Sequence, residues 1–340
     1  MKIRKLLSIA VCIAMLCAMM TGCGSTSSNT SNSSNSSSDS DVLKIGVMQF
    51  GEFTALQNAY NGFVDGLAEA GFVDGENIVI NYSSAAADTA NCPTIADKLI
   101  NDGSDLIFAI ATPSVSCLKE KTTTIPVLYT AVTDPVASGI VDTYDASGCN
   151  ISGTSDMNPV AEQIALLTEI LPDAKSVAVM YCSSESNSAA QFELAKAALD
   201  AAGIECVQKT VSAIDEVKSA IESLKGKVDA LYIPTDNTLA DGMTLVSATA
   251  TDCGIPTIVA EPGMVVNGGF ATFGIDYYEL GKQTAQMAVE VLTSDDPLAA
   301  VAAMPVGYQT AECETAVNSA TADALGITLP ESVASRANFY

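Results

Sequence analysis

Residues 43–49 read L-K-I-G-V-M-Q, and residues 50–71 continue F-G-E-F-T-A-L-Q-N-A-Y-N-G-F-V-D-G-L-A-E-A-G. The first seven form a bounded apolar run, the pattern of a strand buried on both faces. Leu56, Tyr60, Phe63 and Leu67 then recur at spacings of 4, 3 and 4, one stripe of an amphipathic helix that Gly71 ends. A buried strand leading into a surface helix is the unit of a parallel sheet.

The unit repeats along the chain. Ile78–Ile80, Asp105–Ala111 and Ile125–Thr130 read as strands, with helices around Ile95–Ile100 and between the last two strands. A second series starts at Val177–Tyr181 and runs through strands at Glu205–Val211, Ala230–Ile233, Thr257–Ala260 and Gly269–Phe273. Its helices are Ala189–Ala202, Val217–Leu224 and Leu239–Cys253, and Tyr277–Leu292 is the last long helix. Val306–Gln309 and Thr315–Val317 are candidate final strands. Two such series predict an α/β chain of two doubly wound parallel-sheet lobes, split near residue 156.

Upstream, Lys2, Arg4 and Lys5 precede an apolar stretch from Leu6 to Met20 and two small residues, Thr21 and Gly22. A basic start, a short apolar core and small residues at the cut predict an export signal over residues 1–22. Small residues directly before Cys23 resemble the bacterial lipobox, whose cysteine is lipidated, with Met20 where that pattern prefers an aliphatic. The Ser/Asn-rich stretch 23–42 reads as a tether. The expectation is a domain lipid-anchored outside a bacterial cell membrane.

Composition narrows the chemistry. The whole chain carries 15 basic and 40 acidic residues; without the signal, twelve face forty, a net charge of −28. No basic cluster is left to neutralise phosphates, which excludes nucleic acid as a partner. The chain holds no His and no Trp, and its only arginines are Arg4 and Arg336. His-dependent acid–base chemistry, Ser-His-Asp triads and His-ligated zinc are therefore excluded. Seven cysteines follow Cys23, with no C-x-x-C pair, so no disulfide framework, metal site or cofactor is predicted. No later apolar run approaches the ~20 residues that span a bilayer.

Ligands of open parallel sheets bind beyond the carboxyl ends of the strands. The segments there include Gln49-Phe50, Ala111-Thr112-Pro113-Ser114 and T-A-V-T-D-P at 130–135 with Asp134. Next come G-T-S-D at 153–156, C-S-S-E-S-N at 182–187, P-T-D-N-T at 234–238, Glu261-Pro262 and F-G-I-D at 273–276. Several lead into helices, whose free N–H groups hold anions without arginine. Thr112, Ser183 and Ser184 are candidates for that role. Asp134, Asp156, Glu185, Asp236, Glu261 and Asp276 are candidates for an ammonium. Taken singly, each is as readily an N-cap; as a set at strand ends in both lobes, they predict a shared site. No nucleophile elbow or P-loop is present, and no pair of acids has a spacing that marks a carboxylate-dependent hydrolase, so no enzyme is expected.

Seven stretches together resemble one family. They are I-G-V-M-Q-F at 45–50, N-G-F-V-D-G-L at 61–67, T-A-V-T-D-P-V-A-S-G at 130–139, G-T-S-D at 153–156, P-T-D-N-T at 234–238, G-I-D-Y-Y-E-L-G at 274–281 and G-I-T-L-P-E-S at 326–332. The family is that of substrate-binding lipoproteins of ABC importers, the aromatic amino acid and tryptophan-binding type. The resemblance implies a type I periplasmic-binding-protein fold with a hinge of three crossovers near 156, 274 and 310. Lobe 1 is then 43–156 plus 274–310, and lobe 2 is 157–273 plus 311–340. It also implies a monomer that closes on a small zwitterion, an amino acid, and docks on membrane permease subunits. The implied ligand-facing loops hold Gln49, Phe50, Thr112, Pro113, Asp134, Ser155, Asp156, Ser183, Ser184, Glu185, Asn187, Asp236, Asn237, Glu261 and Asp276. In that picture the ligand carboxylate meets Thr112 or Ser183/Ser184, and its ammonium meets Asp236, Asp156 or Glu261. Phe50, Phe53, Tyr129 or Phe273 faces its side chain. A sensor that presents ligand to a membrane receptor needs the same clamp and is the alternative.

Overall fold

The computed structural model describes residues 42–308 and 313–340. The signal, Cys23 and the tether lie outside them, as does the third crossover near 310. Among the described residues, thirteen strands form two sheets: β1 Leu43–Gln49, β2 Ile78–Ser84, β3 Leu106–Ile110, β4 Val127–Val132, β5 Ile151–Ser155, β6 Ser176–Cys182, β7 Glu205–Val211, β8 Ala230–Ile233, β9 Thr257–Val259, β10 Ala271–Gly274, β11 Gly307–Tyr308, β12 Glu314–Val317 and β13 Ala337–Phe339.

The first sheet has the order β11-β5-β4-β3-β1-β2 and the second β13-β12-β10-β9-β8-β6-β7. Every neighbouring pair is parallel except β10 with β12. β3, β4 and β8 are buried along their whole length, because helices cover both faces of each sheet. The chain passes from the first sheet to the second after β5 and returns after β10.

On the first sheet, the helix Thr54–Glu69 turns Leu56, Ala59, Phe63 and Leu67 inward, and Phe63 stacks on Phe108 of β3 with ring centroids 3.7 Å apart. The helix Tyr277–Leu292 lies against it unusually closely. A Cβ on Gly62 would stand 2.0 Å from the Tyr278 carbonyl oxygen, and one on Gly281 2.0 Å from that of Ala59. Glycine is required at both positions.

Several elements differ from the sequence reading. The predicted helix Leu239–Cys253 is two helices, Asn237–Asp241 and Met243–Asp252, meeting at Gly242, where a Cβ would strike Ile214. Strands β5 and β13 and the helix Val160–Ile170 were not predicted. β5 (I-S-G-T-S) lacks the apolar run that marks its neighbours, since Thr154 bonds the hydroxyls of Thr130 and Thr284 at 2.9 and 2.8 Å. The seven cysteines beyond the tether are free thiols.

Candidate functional site

The carboxyl ends of β1, β3, β4 and β5 face those of β6, β8 and β9 across a cleft. Its floor is an inner cavity walled by Phe53, Ala55, Leu56, Thr112, Ala131, Thr133, Asp156 and Tyr277 on one side, and by Asn187, Thr235, Asp236, Asn237, Ala240, Glu261 and Met264 on the other. The cavity between these walls is small, about 10 Å3. The walls are thus nearly in contact. Outside it lies an open groove of about 710 Å3 that shares Thr112 and Asn187 with the cavity and is also lined by Phe50, Pro113, Ser184 and Glu185. A third groove, of about 470 Å3, meets the cavity at Glu261 and Tyr277 and carries Asp276.

The two sides already touch. Phe53 packs against the cores of both sheets. The Asn267 amide donates to the Thr54 hydroxyl at 3.0 Å. The approach needs a glycine at Gly263, where a Cβ would come within 3.0 Å of the Thr54 Cβ.

Backbone strain gathers here. Ala86, Ala87, Ala111 and Ala131 have φ of 53°, 57°, 78° and 56°, and all four line or adjoin the cleft. An L-residue in that region costs about 1–2 kcal/mol, and such strain clusters at ligand sites. Ala111 sets the entry into the helix Thr112–Lys121, and Ala131 lies where the β4–β5 register shifts.

Three carboxylates in the cavity wall are almost wholly buried: Asp156, Asp236 and Glu261 are 1%, 1% and 4% exposed. Asp236 accepts from Cys182 N at 2.7 Å and caps the helix Asn237–Asp241 through Leu239 N at 2.9 Å. Glu261 caps the helix Pro262–Val266, accepting from Gly263 N and from Met264 N. Glu185, buried behind them, accepts from Asn237 N, Asn237 Nδ2, Thr238 N and the Thr238 hydroxyl at 2.7–2.9 Å. Asp156 is different. Its Oδ2 accepts from the Tyr277 hydroxyl at 2.5 Å, while its Oδ1 is buried without a hydrogen-bond partner. The nearby Thr133 hydroxyl favours its ionised form, offsetting part of the effect of burial, but does not hydrogen-bond Oδ1.

Burial pushes all three acids above the ordinary carboxylate range. For Asp236 the Glu185 carboxylate adds to the effect, and Glu261 rises to about 7. Among the described residues, no Lys or Arg lines the cavity. A buried carboxylate without a counter-ion is costly, so the wall is complementary to a cationic group.

Of the sequence candidates, Thr112, Asp156, Asn187, Asp236, Asn237 and Glu261 meet in the inner cavity. Phe50, Pro113, Ser184 and Glu185 line the open groove. Gln49, Asp134, Ser155, Ser183 and Asp276 line neither. Asp134 is taken up by a turn, accepting from Val136 N, Ala137 N and the Tyr144 hydroxyl. Asp276 caps the helix behind it. Ser155 donates to the Thr133 carbonyl at 2.7 Å, Gln49 to that of Gly51 at 2.7 Å, and Ser183 is exposed. Tyr129 and Phe273 belong to the cores, whereas Phe53 does face the cavity. Sequence reasoning missed Thr133, Thr235 and Tyr277. Each adjoins an aspartate that it did single out, and in T-D-P and D-Y-Y the neighbour, not the aspartate, reaches the cavity.

Two doubly wound parallel-sheet lobes with a closed cavity at their facing strand ends define a solute-binding protein of the type I periplasmic-binding-protein fold. The chain belongs to the ABC transporter substrate-binding protein family, whose model matches residues 44–339. It is 38% identical over 292 residues to the tyrosine-binding protein of Clostridioides difficile (strain R20291), covering 86% of this chain and 85% of that one. A conserved domain protein from Vibrio cholerae superposes with a TM-score of 0.83 at 33% identity, over 88% of this chain and 99% of that one. The ABC domain from Streptococcus pneumoniae in complex with L-Trp gives 0.80 at 34%, over 87% and 99%. The ligand-free, open structure of a substrate-binding protein with adhesive properties from Clostridium difficile gives 0.68 at 41%, over 88% and 99%. The family and its relatives named for tyrosine and solved with L-Trp are solute-binding proteins, not enzymes. No helix among the described residues is long and apolar enough to cross a membrane.

Proposed function

We propose that this protein is an extracytoplasmic lipoprotein, anchored through Cys23, that captures an amino acid with an aromatic side chain and delivers it to an ABC permease. The observation that carries the reading is the inner cavity. It combines an unpartnered buried carboxylate oxygen at Asp156 with an apolar wall of Phe53, Leu56, Ala131, Ala240 and Met264. The ammonium sits on Asp156 Oδ1, beside the Thr133 and Thr235 hydroxyls, and the side chain lies against that wall. Relatives named for tyrosine and solved with L-Trp support an aromatic ligand.

The nearly closed walls describe a closed form with no room for the ligand, which the lobes admit by parting about the connections near 156 and 274. The weaker superposition on an open relative, despite its higher identity, supports this assignment. Ligand drives closure only to the extent that it binds the closed form better than the open one.

Mass spectrometry of the small molecule that copurifies with the protein, followed by thermal-shift titration of the twenty amino acids, tests the ligand. Stabilisation by L-Tyr, L-Trp or L-Phe is expected, and no response to any amino acid would reject the reading. Metabolic labelling with palmitate that is lost in Cys23→Ala tests the anchor.

A further inference from the structure

We propose that the site also takes dipeptides that begin with an aromatic residue, holding that residue in the inner cavity and the second residue in the open groove outside it. The inference rests on the amino-acid reading above and extends it.

The cavity has two distinct ends. At one, Glu261 and Tyr277 lead into the third groove, and there Asp156, bonded to Tyr277, keeps its buried Oδ1 free. At the other, Thr112 and Asn187 are shared with the open groove. An ammonium on Asp156 thus sits at the end away from that groove.

The carboxylate belongs at the groove end. Thr112 and Asn187 lie in the first turns of Thr112–Lys121 and Ser186–Ala202, helices of 10 and 17 residues whose starts carry no side-chain cap. Such starts attract negative charge. Glu185, the acid beside Asn187, is taken up by four donors of Asn237 and Thr238. The start of Thr54–Glu69 is uncapped as well but lies toward the other end, where Thr54 lines the third groove. An acid stands beside it, since a Cβ on Gly263 would be 2.7 Å from Glu261 Oε2 and 3.2 Å from Ala55 N.

A ligand laid this way points its carboxyl carbon into the groove. A peptide carbonyl there accepts hydrogen bonds as a carboxylate oxygen does, and the chain continues outward. The groove measures about 710 Å3 even with the cavity walls nearly in contact. Parting the lobes to seat the first residue leaves it at least as open. Phe50, Pro113 and Ile214 suit an apolar second side chain, and Asp88, Glu120 and Asp241 a basic one. Among the described residues no Lys or Arg lines the groove, so an acidic second residue is disfavoured.

Calorimetric titration of the full chain in detergent micelles decides the matter. The probes are L-Tyr and L-Trp, the dipeptides in which either is followed by leucine, lysine or glutamate, and the reversed leucyl-tyrosine and leucyl-tryptophan. The leucine and lysine dipeptides are expected to bind within about tenfold of the better-bound amino acid that begins them. The glutamate and reversed dipeptides should bind more weakly than these. Ser116→Trp, which narrows the groove from an exposed position on its wall, should weaken the leucine dipeptide about tenfold more than the free amino acid. Leucine and lysine dipeptides that both fall below that range, a reversed or glutamate dipeptide that binds equally well, or an equal effect of Ser116→Trp on both ligands would overturn this inference and leave the amino-acid reading standing. If neither amino acids nor dipeptides bind, both are lost.

Discussion

The Tyr277 hydroxyl donates to Asp156 Oδ2 at 2.5 Å and so ties together two of the places where the chain changes sheets. Asp156 directly follows β5, on the way out of the first sheet, and Tyr277 follows β10, on the way back. The bond holds the carboxylate with Oδ1 free. Hydrogen bonds to charged groups contribute about 1.5–3 kcal/mol, so Tyr277→Phe should weaken binding of the copurifying ligand by about ten- to a hundredfold. Circular dichroism should show the fold intact. Calorimetry giving wild-type affinity would mean that the carboxylate needs no such positioning.

Asp156→Asn should separate stability from binding. In the empty protein, burial pushes the Asp156 carboxyl above its ordinary range, and Oδ1 has no hydrogen-bond partner. A neutral side chain of the same shape avoids the cost of ionising there. The unliganded variant should therefore melt no lower than wild type, with a relative gain that grows as pH rises and the wild-type group is forced to ionise. Its ligand-induced shift in melting temperature should vanish. A variant that is less stable when empty would place Asp156 among the structural acids.

How much of this was legible in the sequence follows from what each residue does with its hydrogen-bonding groups. The strands β1, β7 and β8 were placed to the residue because continuous apolar or alternating runs leave no other reading. β5 was not, because its buried Ser152 and Thr154 satisfy their hydroxyls inside the fold. At the site, strand-end logic found Thr112, Asp156, Asn187, Asp236, Asn237 and Glu261. It could not tell Asp156, buried in the cavity wall with Oδ1 free, from Asp134 and Asp276, which a turn and a helix start engage outside the cavity. An aspartate before free N–H groups reads the same in both cases, and only the backbone direction separates them.

The helix pair Thr54–Glu69 and Tyr277–Leu292 offers a test of the scaffold. Gly281→Ala adds a methyl that would lie 2.0 Å from the Ala59 carbonyl oxygen, a backbone atom that cannot swing aside. The helices must separate, and overpacking of this kind costs about 1–3 kcal/mol. Because Tyr277 begins the same helix, the shift should also weaken ligand binding. Chemical denaturation of Gly281→Ala should show the loss; a wild-type midpoint would mean the interface is looser than the contact implies.

Glu261 gives a pH dependence whose sign is fixed. Its carboxyl moves from 4.5 to about 7 on folding, burial being the main cause. The folded state therefore holds the proton more tightly than the unfolded state. The stability this provides is full below pH 4.5 and is lost as pH rises to about 7. The interval corresponds to about 3 kcal/mol. Asp156 and Asp236 are raised too and act in the same direction. The empty protein should thus melt lower at pH 8 than at pH 5, and Glu261→Gln should flatten part of that slope. Glutamine can still accept from Met264 N but presents an amide toward Gly263 N, a loss that does not vary with pH, which leaves the slope as the readout. A cationic ligand reverses the trend, since it binds best when the acids are ionised, so ligand-induced stabilisation should be larger at pH 8. An unchanged slope in Glu261→Gln would show that this carboxyl is already ionised in the folded protein at pH 5.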